Sequence, residues 1–449
     1  MIPPKPEPRP DKVSLLRYLR LFRQDLLSAQ PARLYRAWMA EFKTPFFRSF
    51  MINQPDLIQT VLKKRPDEFP KSSRISEGLR PLLGNSVFLT NGETWKRQRR
   101  IIDPAFEGGR LKGTIPAMLA AAEASVERLR PHIGEQIECE EQTSHAAADV
   151  IFRTLFSVPI DHAIASQVFD KFRAYQREQP LLNLAAFVPL PRWLPRFHSK
   201  ATKQNARDIR SLIAELTKTR AAAIKAETAP DDLATKIMTT ADPETGQFFD
   251  PEEMVDQVAI FFLAGHETSA SALAWTLYLM ALYPEWQQKV AEEAVVLGDP
   301  SFATVSKLRI SRDVFREALR LYPPVPMMVR ETTCPERFRN RDVPVGSQVV
   351  ISPWHLHRQE RLWDDPDSFD PTRWGTENGK RCQREAYIPF SAGPRVCTGA
   401  GFAMVEGPLI LSTLLRHFRF ETIPEKTPVP VAHLTVRSKD GIWLRLFAR

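Results

Sequence analysis

Between Asp250 and about Tyr283 apolar residues fall on nearly every side of a projected helix, so this segment predicts a long, buried helix. Asp250 is a candidate N-cap, Pro251 suits the first turn, and Glu252 and Glu253 complement the positive end of the helix dipole. At 1.5 Å per residue the helix is roughly 50 Å long, enough to cross a large domain. A transmembrane span is the competing explanation, but His266 and Glu267 at its middle are costly in lipid. A second helix carries EALR, Glu317 to Arg320; Ser311 is its candidate cap, and Pro323 and Pro324 end it. Extended patterns are few: TPFFRSFMI near residue 48, VPVGSQVVI near 347 and HLTVRSKDGIWLRLF at the end. In the last, Asp440 and Gly441 between two alternating runs predict a hairpin. The first ten residues hold five prolines, which predicts a solvated, disordered tail over residues 1–12. Residues 13–449 then read as a single, mainly α domain with small sheets. The stretch from Val13 to Met39 mixes leucines and aromatics with arginines, fitting either an ordinary amphipathic helix or one lying on a membrane surface.

Composition narrows this picture. With 38 prolines against 18 glycines, helices opened and closed by proline are favoured over a strand-rich chain with glycine turns. The formal charge of +9 fits a solvated basic surface or steering of an acidic partner. Nucleic acid is set aside because the basic residues are scattered without interleaved aromatics. Cys139, Cys334, Cys382 and Cys397 show no CxxC spacing and follow no secretory signal, which argues against disulfides or a zinc cluster and for a reducing cytoplasm.

The most specific pattern is FSAGPRVCTG, from Phe390 to Gly399. Its Phe390, Gly393, Arg395, Cys397 and Gly399 fill every defined position of FxxGxRxCxG, and in this the chain resembles the cytochrome P-450 family over almost its whole length. The resemblance implies that fold, haem b, and Cys397 as the axial iron ligand. Glycines let backbone approach a planar macrocycle, and a thiolate donating electron density to iron favours O–O cleavage.

Other segments match the same family. AGHET, Ala264 to Thr268, resembles its oxygen-activating segment: Ala264 and Thr268 share a helix face, Gly265 permits local widening, and Glu267 with Thr268 can relay protons. Taken alone, the threonine could simply bond back to a carbonyl. Glu317 and Arg320 share a face too, which by itself fits a solvated helix surface; the resemblance implies instead a buried structural triad completed by Arg373 of DPTRW. Trp95 and Arg99 in WKRQR, Arg330 in PMMVRE and Arg395 match the groups that hold haem propionates, although WKRQRR also reads as a basic helix start. His355 and His357 could imitate a metal pair, but no third ligand is near in sequence.

These matches imply a monooxygenase that uses dioxygen as co-substrate and hydroxylates a small apolar molecule. Substrate contacts are expected at Ala264, Thr268, Val325, Met327 and Met328, and near Val87 and Phe88. GETWKRQRRIIDPAF looks most like the lipid-hydroxylase branch, leaving lipids, fatty acids and terpenoids open. No flavin or iron–sulfur module follows the cysteine loop, so electrons from NAD(P)H are expected only indirectly, through an acidic ferredoxin or flavodoxin with its reductase. Lys380, Arg381 and Arg384 are candidate contacts for that partner. A soluble, monomeric, cytoplasmic protein with no transmembrane segment is expected. Two rivals are a peroxide-driven enzyme of the same fold and a non-enzymatic haem sensor, which would not need Thr268.

Overall fold

A computed structural model describes residues 2–43, 47–178, 200–298, 301–432 and 434–449. The long apolar helix is present as Pro251–Leu282. Asp250 Oδ1 accepts from the Glu253 amide at 2.8 Å while Glu253 Oε2 accepts from the Asp250 amide at 3.1 Å, a reciprocal cap that fixes where the helix begins. Among the described residues no helix is long and apolar enough to cross a membrane.

The chain divides into two compact units, one of Met1–Pro70, Ala122–Ser144 and Thr268–Arg449, the other of Lys71–Ala121 and His145–Glu267. Three of the four boundaries fall inside the continuous helices Gly108–Leu129, Cys139–Phe156 and Pro251–Leu282, and the fourth, between Pro70 and Lys71, lies outside any helix. The sequence pattern, which reads as one domain, carries no trace of them.

The first unit holds the sheets. One has four strands in the order Met39–Lys43, Arg48–Ile52, Gln348–Ile351 and Met328–Glu331, with the middle pair parallel and both outer pairs antiparallel. Phe50, Ile52, Val349 and Ile351 are fully buried and seed its core. The two runs around Asp440 and Gly441 are strands, but they do not form the predicted hairpin. Val436–Ser438 pairs with Pro430–Ala432, whereas Trp443–Ala448 pairs with Gln136–Glu138 and Phe418–Thr422. Gly441 turns the chain at φ +79°, and each run takes another partner, the neighbouring Pro430–Ala432 for the first and distant strands for the second.

The helix Arg309–Leu321 packs on Ala400–His417, where Gly407 leaves room for the Phe315 ring; an added Cβ would lie 2.2 Å from it. Ser311 is not its cap. The Glu293 carboxylate takes that place, accepting from the Ile310 and Ser311 amides at 2.7 and 2.9 Å and from the Ser311 hydroxyl at 2.7 Å. The proline-rich start, expected to be solvated, packs against the same unit. Pro3, Pro6 and Arg9 are buried, Tyr322 Oη donates to the Pro4 carbonyl at 2.8 Å, and Arg9 Nε donates to the Ala29 carbonyl at 2.6 Å. Proline fixes an extended backbone without internal hydrogen bonds, which leaves such carbonyls free to accept.

The second unit is helical. Phe152, Phe172 and Phe262 form its aromatic centre, with ring centroids 4.8 and 4.5 Å from Phe262. The buried Arg220–Asp232 pair and the half-buried Arg97–Glu253 and Arg100–Asp242 pairs tie its helices.

Candidate active site

Cys397 is the exposed one of the four cysteines, and it sits just before the helix Ala400–His417, beside the positive end of its dipole. Its amide donates to the Phe390 carbonyl at 2.9 Å and the Val396 amide to the Gly393 carbonyl at 3.0 Å, so the loop is closed by its own backbone. Gly393 has φ +71°, and a Cβ there would lie 1.9 Å from the Leu62 carbonyl oxygen: loop and neighbouring backbone touch with no space for a side chain. A Cβ on Gly399 would meet the Cys397 Sγ at 3.8 Å, an ordinary contact.

Two arginines approach one another in the same unit. The Arg330 side chain is 7% exposed, bonds only the neighbouring Val329 carbonyl at 3.2 Å, and has no carboxylate partner among the described residues. Burial, and secondarily the charge of nearby Arg395, lower its pKa to about 10. Arg395 is lowered by burial as well; it donates to the Pro66 carbonyl and stands 3.8 Å from the exposed Asp67. A buried guanidinium such as Arg330, with no carboxylate beside it among the described residues, calls for an anion. In the second unit Trp95 is buried on the helix Gly92–Ile102, and the Arg99 guanidinium lies 5.8 Å from its ring while pairing with Asp103.

The long helix is buried along most of its middle, yet Ala264 is exposed and Phe261, Gly265 and Thr268 are half-buried. These four recur at i, i+3, i+4 and i+7, one accessible stripe on a helix whose other middle faces are covered. Glu267 and His266 are buried beside it. The helix runs without widening at Gly265; the missing Cβ serves close packing, since an added one would lie 2.3 Å from Ile151 Cδ1.

The structure brings Glu317, Arg320 and Arg373 together, all buried. Arg320 forks onto Glu317 at 3.0 and 2.7 Å, and Arg373 Nε donates to Glu317 Oε1 at 3.2 Å. The remaining guanidinium donors reach carbonyls of His357, Pro366, Ser368, Asp364 and Asp365. Sequence reasoning missed the role of His357. Its Nε2 accepts from the Ile388 amide at 2.9 Å, so Nδ1 carries the proton and faces the Arg320 carbonyl at 3.2 Å. The ring thus links the arginine helix to the start of the cysteine loop, and burial pushes its pKa down to about 3. His355 is equally buried, bonded through Nδ1 to Ser352 Oγ at 2.8 Å; the two imidazoles serve packing and hydrogen bonding. Glu406 was also missed. It lies nine residues after the cysteine, accepts from Ser269 Oγ at 2.7 Å, and is pushed up to about 8 by burial. Nothing in the sequence marks either contact.

Of the expected substrate contacts, Met327 is partly buried against the cluster of Leu34, Ala40 and Met51, and Met328 against that of Phe50 and Ile52. Val325 is 37% exposed. Phe88 is exposed, while the Val87 amide is held by Gln257 Oε1 at 2.9 Å. Lys380, Arg381 and Arg384 are exposed on the helix Glu377–Glu385.

The family model for Cytochrome P450 matches residues 32–444. A cytokinin hydroxylase of Arabidopsis thaliana is 30% identical over 91% of this chain and 82% of that protein. A cyclooctat-9-en-7-ol 5-monooxygenase of Streptomyces melanosporofaciens is 31% identical over 85% and 82%, and cytochrome P450 4A11 of Homo sapiens 31% over 94% and 85%. The crystal structure of the cytochrome P450DA heme domain matches the fold with a TM-score of 0.82 at 24% identity, covering 100% of this chain and 98% of that one. The residues present fit the haem that such a family uses. An exposed thiol lies at a helix start, a glycine-closed loop supports it, and Arg330 is a buried cation awaiting an anion.

Proposed function

The chain belongs to the cytochrome P450 family and is a monooxygenase, and on that premise we propose that it hydroxylates a small apolar substrate of the lipid, fatty-acid or terpenoid class, with electrons from a separate acidic redox protein. The accessible stripe Phe261, Ala264, Gly265 and Thr268 carries this reading. It offers a flat, nearly apolar face ending in one hydroxyl, with the buried Glu267 carboxyl next to it in the chain.

Haem, when bound through the Cys397 thiolate, supplies dioxygen binding and oxygen transfer. Arg330 and Arg395 would hold its carboxylates. The aromatic and small residues of the stripe exclude water and leave room for an apolar molecule. The Thr268 hydroxyl holds a proton at the reacting face, and Glu267 passes protons to it. Glu317, Arg320 and Arg373 touch no substrate; they hold the loop-bearing part in shape.

Thr268→Ala tests the assignment. The variant should keep its thiolate-type carbon monoxide spectrum and its substrate-induced spin-state shift while losing most product per electron consumed. Undiminished coupling would refute the relay. Product from peroxide alone, equal to that from reductant and dioxygen, would move the protein to a peroxide-driven class.

A further inference from the structure

We propose that this protein has a second binding site, for a phosphate-bearing anion, on the sheet edge formed by the strand Met39–Lys43. That strand is at the opposite end of the four-stranded sheet from Met328–Glu331, which carries Arg330. A cavity of about 550 Å³ opens there, lined by Arg33, Trp38, Glu41, Arg339, Arg341 and Arg361 among others. Its size falls in the usual range for small-molecule sites, roughly 300–1,000 Å³.

Four guanidiniums face one concavity, against a single acid already committed elsewhere. Glu41 takes a two-pronged contact from Arg48 at 2.8 and 2.6 Å. Arg341 and Arg361 form no ion pair among the described residues, and Arg361 lies 5.4 Å over the Trp38 ring. Arg33 reaches only Asp11, at 3.8 Å with both side chains more than half exposed, a pair worth little in water. Arg339 uses one nitrogen on Gln54 Oε1 at 2.6 Å and keeps the rest of its fork. Its backbone stands at φ +55° in the turn between Glu336–Phe338 and Arg341–Val343, a position where glycine or asparagine would be unstrained. A single carboxylate engages one such fork; several converging forks suit the many oxygens and higher charge of a phosphate, and the Trp38 face offers a flat wall for the ligand's body. Either a soluble phosphorylated molecule or the headgroup of an anionic lipid presents this chemistry.

The test uses the full-length haem-loaded protein and its Arg341→Gln/Arg361→Gln variant. Pyrophosphate is titrated by calorimetry, and co-sedimentation is followed with phosphatidylcholine vesicles with and without phosphatidic acid. Pyrophosphate binding at least tenfold weaker in the variant assigns a soluble ligand. Sedimentation that needs phosphatidic acid and is lost in the variant assigns a lipid headgroup. Binding of neither probe at low ionic strength, or equal binding by both proteins, overturns the proposal. The carbon monoxide spectrum should be the same in both proteins, so failure here leaves the oxygenase reading untouched.

Discussion

At the scale of single residues, Glu317 shows what a short pattern can and cannot convey. Its spacing from Arg320 puts both charges on one helix face, but a solvated pair has the same spacing. Spacing alone does not separate the two; the resemblance names Arg373 as a third member, and in the fold Glu317 and Arg320 are fully buried and Arg373 arrives from more than fifty residues away. Glu317→Ala should leave two buried guanidiniums short of their anion and cost about 3–5 kcal/mol, read as a lowered denaturation midpoint and little haem-loaded protein. Normal loading would show that the triad is dispensable. Gly393 makes a different argument, because its place in FxxGxRxCxG was legible while its reason was not. Glycines of such a loop let backbone approach a macrocycle; here the glycine also lies against Leu62 backbone at a positive φ. Gly393→Ala should therefore cost more than about 2 kcal/mol, and carbon monoxide spectra should show a diminished thiolate-type band. An unaltered spectrum would mean that the loop absorbs the methyl group.

Among the elements, helices were more legible than strands. The start of Pro251–Leu282 could be read because capping is local, three residues reaching back to one another. The cap of Arg309–Leu321 could not, since Glu293 comes from another helix, and the C-terminal hairpin failed because its first run pairs back onto Pro430–Ala432 while its second pairs with strands far away in sequence. The resemblance sets Ala264 and Thr268 on one face, but that Phe261 and Gly265 share an accessible stripe with them was not legible for a related reason: apolar residues surround it, and packing decides which face stays open. Burial also sets the behaviour of Glu406 on Ala400–His417. A carboxyl whose folded pKa is about 8, against about 4.5 when free, is favoured neutral by the fold. Its contribution is complete below about pH 4.5 and is lost as the pH rises toward 8, an effect on the order of a few kcal/mol. Relative to the native protein, Glu406→Gln should lose that dependence, so urea midpoints of the two should converge at pH 5 and separate in favour of the variant by pH 8.5. Parallel curves would show that Glu406 titrates in an ordinary way. The buried His355 and His357, lowered to about 3, act oppositely and at lower pH, stabilising above about 6.5 and failing as the pH falls.

For the whole molecule, charge is what composition states and the fold distributes. An excess of +9 could be spread evenly or concentrated, and the sequence could not decide because residues distant along the chain share a surface. Lys380, Arg381 and Arg384 stand exposed on one short helix that leads into the cysteine loop; among the described residues only Lys380 forms an ion pair, with the exposed Glu377 at 3.0 Å, and Arg381 donates to the Leu362 carbonyl at 3.4 Å. Exposed charges act over about 8 Å at physiological ionic strength, so a cluster of this kind steers an acidic partner mainly at low salt. Reduction by an acidic ferredoxin or flavodoxin should accordingly slow as salt is raised. Arg381→Glu/Arg384→Glu should slow it several-fold at low salt while leaving the carbon monoxide spectrum and substrate binding intact. The two rates should then meet at high salt, where screening erases the difference. Rates that ignore ionic strength, or a variant defect that persists undiminished in high salt, would place the electron-donor contact elsewhere on the surface or show that it is made by apolar groups.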